Sequence, residues 1–68
     1  MTRTITIKTD AISADVLATS GDDAARLFAI SERIADVTDC ATLCDHYRAI
    51  GGTVRVIDAD GSILCRVA

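Results

Sequence analysis

The chain has 68 residues, of which half are hydrophobic and only Phe28 and Tyr47 are aromatic, and its formal net charge is -3. This length predicts one domain over residues 1–68, with a small core of aliphatic residues, alanine and cysteine. No apolar run approaches the roughly 20 residues of a membrane-spanning helix. The acidic balance disfavours direct nucleic-acid binding, because attraction to phosphates supplies most of that affinity.

Residues Thr2 to Thr9 alternate with period two and are rich in β-branched side chains, which predicts a strand with Ile5 and Ile7 on one face. We expect this strand to lie at a sheet edge. From Asp10 to Thr19 the signals conflict. Asp10 or Ser13 can cap a short helix, whereas the run ADVLAT also fits a strand that pairs back on the first, and we favour the helical or irregular interpretation.

Two amphipathic helices are predicted next. Ser20 is placed to cap the first, which we expect to run to about Val37 with its apolar stripe on Leu27, Ile30, Ile34 and Val37. Thr38 or Asp39 is expected to cap the second, whose stripe consists of Cys40, Leu43, Cys44, Tyr47 and Ile50. Gly51 and Gly52 end that helix.

A β-hairpin is predicted at the end of the chain, where two β-branched runs flank Asp60-Gly61. The favoured two-residue loop pairs the strands as follows: Val54 with Val67, Arg55 with Arg66, Val56 with Cys65, and Ile57 with Leu64. The competing loop has three residues with Gly61 in a bulge, and it would turn Arg55 towards the apolar face. The expected fold is therefore α+β in the order β-α-α-β-β, with two helices on one face of a three-stranded antiparallel sheet.

No pattern indicates catalysis, a metal or a cofactor. The number of cysteines is odd, and no signal peptide is expected ahead of them because Met1-Thr2-Arg3 leads directly into alternating threonine and isoleucine. We therefore expect free thiols and a cytoplasmic location. Cys40, Cys44 and Cys65 are expected to act as small buried hydrophobes, because His46, the single histidine, points away from them around the helix. Adjacent Asp45, His46 and Tyr47 cannot converge on one reacting atom, so we assign no catalytic residue and predict that the chain is not an enzyme.

Two candidate binding surfaces remain. The first is acidic and would engage a basic protein partner; it consists of Glu32, Asp36, Asp39 and Asp45. The alternative is a solvated face in which Asp39 caps the second helix and Arg33 neutralises Asp36. The second surface lies on the far side of the hairpin and consists of Arg55, Ile57, Leu64 and Arg66. Homodimerisation, or a small cluster beneath residues 10–19, would explain it equally.

In its size, its charge and the gathering of acids on helices beside a small antiparallel sheet, the chain resembles the small inhibitor proteins of phages and mobile elements, and among these the anti-CRISPR proteins. Those proteins share no common motif, so the resemblance assigns no residue. It implies a stoichiometric inhibitor that occupies the DNA-recognition surface of a CRISPR effector complex, with carboxylates in place of phosphates. The alternative is a small homodimeric regulatory or structural module without nucleic-acid mimicry.

Overall fold

Alternation of apolar and polar residues organises four strands within residues 1–67, the part of the chain that the computed structural model describes. The elements in chain order are β1 (Arg3–Thr9), β2 (Ser13–Ala18), α1 (Gly21–Glu32), α2 (Cys40–Ala49), β3 (Val54–Ile57) and β4 (Ile63–Val67). The strands form one antiparallel sheet in the order β2-β1-β3-β4, and both helices pack on one of its faces. The α+β class is confirmed. The predicted sheet of three strands and the order β-α-α-β-β are wrong, because the sheet has four strands and the order is β-β-α-α-β-β.

The additional strand is β2, in the stretch for which we favoured a helical or irregular conformation. Thr9 builds the turn before it: its hydroxyl accepts hydrogen bonds from the backbone N–H groups of Ala11 and Ile12 at 3.1 and 3.0 Å. The strand then returns along β1 in a regular register in which Val16 pairs with Ile5. Because β2 and β3 flank β1 on its two sides, β1 is a central strand and not the predicted edge.

Helix α1 begins where the sequence predicts and ends earlier. The Ser20 hydroxyl accepts a hydrogen bond from the Asp23 backbone N–H at 3.0 Å, which confirms Ser20 as the N-cap. The helix ends at Glu32 because Arg33 takes a left-handed conformation with φ 58°. Its buried residues are Ala24, Ala25, Phe28 and Ala29. Ile30, which the predicted stripe placed in the core, is 64 % exposed.

Helix α2 follows its predicted pattern closely. Asp39 is the N-cap and forms a capping box with Thr42, while Leu43, Cys44 and Tyr47 are buried. Ile50 lies beyond the helix end and is exposed, and Gly51 follows it with φ 75°. The stripe therefore reaches the core except at its last residue.

The C-terminal hairpin has the loop of one predicted alternative and, beyond a bulge, the strand register of the other. Its loop is the three-residue form, with Gly61 at φ 90° and a hydrogen bond from the Asp58 N–H to the Ser62 carbonyl at 2.8 Å. A second bulge, at Leu64, restores the favoured register beyond it, so that Val56 pairs with Cys65. Ile57 pairs with Ile63 and not with Leu64, which corrects one predicted pair.

The core lies between the sheet and the helices. The largest fully buried side chains come from two strands, β1 and β3, and from both helices: Ile5, Ile7, Phe28, Leu43, Val54 and Val56. Val37, in the linker between the helices, is also buried. Neither helix has the length and apolar character that a bilayer crossing requires, as far as residues 1–67 show.

Candidate interaction surfaces

The three cysteines come together where α2 packs on β4. The Cys65 thiol lies 3.9 Å from the Cys40 carbonyl oxygen, and all three thiols are free. Burial raises the pKa of Cys65, with further contributions from its contacts with Cys40 and Cys44, and burial also raises the pKa of Cys40. Thiols with raised pKa values stay protonated at neutral pH, so they are poor nucleophiles and poor metal ligands. Within residues 1–67 no three His, Cys, Asp or Glu side chains are placed to hold a metal ion.

The four predicted acidic residues lie on both helices and on the linker between them. Glu32 is the last residue of α1, Asp39 caps α2, and Asp45 lies within α2. Asp36 lies in the linker between the helices with φ 66°, a conformation that aspartate tolerates better than most residues. A helix that ran to Val37 would have placed Glu32 and Asp36 one turn apart on one face, but α1 ends at Glu32.

Asp39 has a structural role in the helix that it begins. Its carboxylate accepts hydrogen bonds from the Thr42 backbone N–H and the Thr42 hydroxyl, each at 2.9 Å. These two bonds hold the pKa of Asp39 below its usual value. The cap that we considered as an alternative is therefore confirmed, and Asp39 has less capacity than the other acids for a partner.

The other acids remain accessible. Asp36 and Asp45 line one shallow cavity of about 370 Å³, with Ala35, Val37, Thr42 and His46. Asp45 is 72 % exposed and forms an ion pair with Arg48 at 2.9 Å. Glu32 and Asp36 form no ion pair among the described residues, and the expected contact between Arg33 and Asp36 is not found there. We use the name acidic surface below for Glu32, Asp36 and Asp45.

The second predicted surface is altered by the Leu64 bulge. Arg55 and Arg66 pair across β3 and β4 on the face that the helices leave uncovered, as expected. Leu64 instead points to the helix side, where its Cδ1 lies 2.8 Å from the position that a Cβ on Gly21 would occupy. Ile63, which is 46 % exposed, takes the predicted place of Leu64 opposite Ile57.

Sequence reasoning missed one basic residue of this face. Lys8 pairs directly with Arg55, so that Lys8, Arg55 and Arg66 lie side by side on three neighbouring strands. We call these three residues the basic row. The sequence did not predict this neighbour because β1 was expected at a sheet edge. Lys8 and Arg55 are also almost fifty positions apart, and no local pattern predicts that they pair.

A shallow cavity of about 330 Å³ opens beside the basic row. Its lining consists of Lys8, Thr9, Thr53, Val54, Arg55, Arg66 and Val67. Two threonines and three cationic residues therefore line one concave region. The acidic surface therefore lies on the helix layer, and the basic row lies on the uncovered face of the sheet.

No protein-family model matches the chain, and no curated protein or solved structure matches it. The candidate sites are therefore defined by geometry alone.

Proposed function

We propose that the chain is a non-enzymatic binding protein whose acidic surface docks onto a basic surface of a nucleic-acid-handling complex. Our best candidate target is a CRISPR effector complex in the cytoplasm, whose DNA-recognition surface the protein would block stoichiometrically. One observation carries this proposal: Glu32, Asp36 and Asp45 are exposed on one layer of the molecule, and the first two have no ion-pair partner within residues 1–67.

The way in which Asp36 is held supports this proposal. The linker that carries it begins at the left-handed cap Arg33 and ends at the capping box of Asp39. Val37, next to Asp36, is only 8 % exposed and anchors the linker in the core. A carboxylate on an anchored linker binds a basic partner with a smaller ordering cost than a flexible acidic tail, and this favours competition with a nucleic-acid strand.

The electrostatic argument concerns the rate and the specificity of association. A basic groove attracts an acidic surface over a distance close to the Debye length, and this raises the association rate most strongly at low salt. Prefolded carboxylates then take the place of phosphates on the arginines and lysines of the groove. We expect binding to weaken as salt is raised.

The test measures displacement of target DNA from purified CRISPR effector complexes by this protein and two variants. Asp36→Asn with Asp45→Asn removes two charges from the acidic surface, and asparagine keeps the left-handed conformation at position 36. Asp10→Asn with Asp15→Asn removes the same charge elsewhere. We expect the wild type and the control to displace DNA from at least one complex, and the acidic-surface variant to bind at least tenfold more weakly. Failure of the wild type on a panel of such complexes, or equal binding by both variants, would contradict the proposal.

A second candidate function rests on the uncovered face of the sheet. Leu17 and Ile63 are 69 % and 46 % exposed there, and Ile57 lies between their strands. Apolar side chains on an open sheet suit a homodimeric module. Analytical ultracentrifugation distinguishes the two functions: Ile57→Asp should convert a dimer to a monomer under the second and leave a monomer unchanged under the first.

A further inference from the structure

The basic row places like charges together, and no ion pair within residues 1–67 neutralises them. Directly paired residues on neighbouring antiparallel strands have Cβ atoms about 4.5–5.5 Å apart, and like charges in such pairs are destabilising. Lys8 pairs with Arg55, and Arg55 pairs with Arg66, so the middle guanidinium is next to a like charge on both sides. The ion pairs of residues 1–67 involve Arg3, Arg26 and Arg48, and none of the three residues of the row.

The surroundings of the row suit an anion. Thr53 adds a hydroxyl-bearing side chain to the lining of the cavity beside it, and the cavity volume of about 330 Å³ lies near the lower end for small-ligand sites. Two neighbouring arginines offer planar, forked donors that match phosphate oxygens, and a lysine adds a point charge. A ligand with two or more negative charges would remove the repulsion within the row.

We propose that the basic row is a binding site for a small ligand that carries a diphosphate group. Several neighbouring cations suit a diphosphate better than a single phosphate, since each phosphate can contact a different side chain. The site is separate from the acidic surface and does not depend on the function proposed for it.

A single-stranded nucleic acid is a less suitable occupant. Sheets that bind single strands present aromatic side chains on which bases stack. The two aromatic residues of this chain, Phe28 and Tyr47, are buried on the helices, and the uncovered face carries threonine, leucine and isoleucine around the row. The net charge of -3 also opposes a long polyanion.

The experiment titrates inorganic pyrophosphate into the protein, with isothermal calorimetry for affinity and amide NMR shifts for location. Arg55→Gln with Arg66→Gln removes two charges from the row, and Arg33→Gln with Arg48→Gln removes the same charge from the helix layer. Arg55→Lys with Arg66→Lys keeps the charge and removes the forked donors. Amide dispersion in each NMR spectrum verifies that the variant is folded.

We expect pyrophosphate to shift the amides of Thr9, Thr53 and Val54, and to bind at least tenfold more tightly than orthophosphate. The glutamine variant of the row should lose at least tenfold in affinity, the lysine variant less, and the helix-layer control nothing. Absence of binding at millimolar pyrophosphate would overturn the proposal, as would an equal loss in the row variant and the control. Tighter binding of a single-stranded DNA oligonucleotide than of pyrophosphate would overturn it in favour of a nucleic-acid surface.

Discussion

The two faces of the sheet come from the same strands and differ in almost every property. On the covered face, Ile5, Ile7, Val54 and Val56 are completely buried against the helices. On the uncovered face, the intervening residues include the basic row, in which like charges are neighbours. Successive side chains of a strand point to opposite faces, so one stretch of sequence serves both purposes. Stability is concentrated on one face, and the other is free to carry charges that do not help folding.

The largest expected effect is on stability, and it compares substitutions on the covered and uncovered faces of β1. Ile7→Ala should lower the free energy of unfolding by about 2–5 kcal/mol, because it leaves a cavity in the core. Thr6→Ala, at the neighbouring position on the uncovered face, loses a hydrogen bond to Asp15 and should cost at most about 1 kcal/mol. Urea denaturation followed by circular dichroism measures both. Equal losses would show that the two faces contribute alike.

The next effect concerns the helix layer that covers the buried face. Ser20→Ala removes the acceptor for the Asp23 backbone N–H at the start of α1 and should cost about 1 kcal/mol, by the same denaturation measurement. Ser31, which is exposed on the same helix, provides the matched control, and Ser31→Ala should change stability by only a few tenths of a kcal/mol. A loss of similar size at both serines would argue against the cap.

A gain in stability is expected on the uncovered face. Arg55→Thr removes the middle charge of the basic row and introduces a residue favoured in strands, so unfolding should require roughly 0.2–1 kcal/mol more. The gain should shrink with added salt, which screens the repulsion in the wild type. Thermal denaturation at low and high salt checks this. If the gain in unfolding free energy did not depend on salt, strand propensity alone would explain it.

The smallest expected effect concerns the ion pair of Arg3 and Asp58, whose contribution to stability depends on pH. Arg3 donates two hydrogen bonds to the Asp58 carboxylate, and this contact, with the Ala59 backbone N–H, lowers the pKa of Asp58 below the ordinary value of 3.8. Because the folded-state pKa is the lower one, the stabilisation is complete above the ordinary value and is lost as the pH falls through the lowered one.

Thermal midpoints between about pH 6 and about pH 2 provide the measurement for this pair. Asp58→Asn should lose stability at neutral pH and show a smaller further loss in acid than the wild type. Arg3→Gln with Asp58→Asn should follow the pH dependence of Asp58→Asn. A steeper loss in the double variant would show that Arg3 acts through another group.

Local signals in the sequence were sufficient for part of this fold. The Ser20 cap, the buried face of α2 and the pairing of Val56 with Cys65 all depend on residues close in sequence, and each was predicted. In β2 the inward residues include Ala14 and Ala18, whose small side chains suit a helix as well as a strand, so alternation did not decide the conformation.

The candidate sites were less accessible to sequence reasoning. The end of α1 depends on the left-handed conformation of Arg33, and arginine at that position is no signal for it, whereas glycine would have been. That early end moved Asp36 from a helix into a linker. The basic row depends on β1 pairing with β3, a contact between distant parts of the chain whose register follows from the packed core.

The bulge at Leu64 also affects how copies of the molecule can associate through the edges of the sheet. The sheet has its two edges at β2 and β4, and an exposed regular edge is a template on which another chain can add a strand. The extra residue in β4 interrupts the spacing of its backbone groups, whereas β2 keeps a regular register along its six residues. A fibre can grow only if another chain can pair with each of the two edge strands. Within the described residues the fold presents one regular edge, so strand addition should stop at a pair of molecules joined through β2.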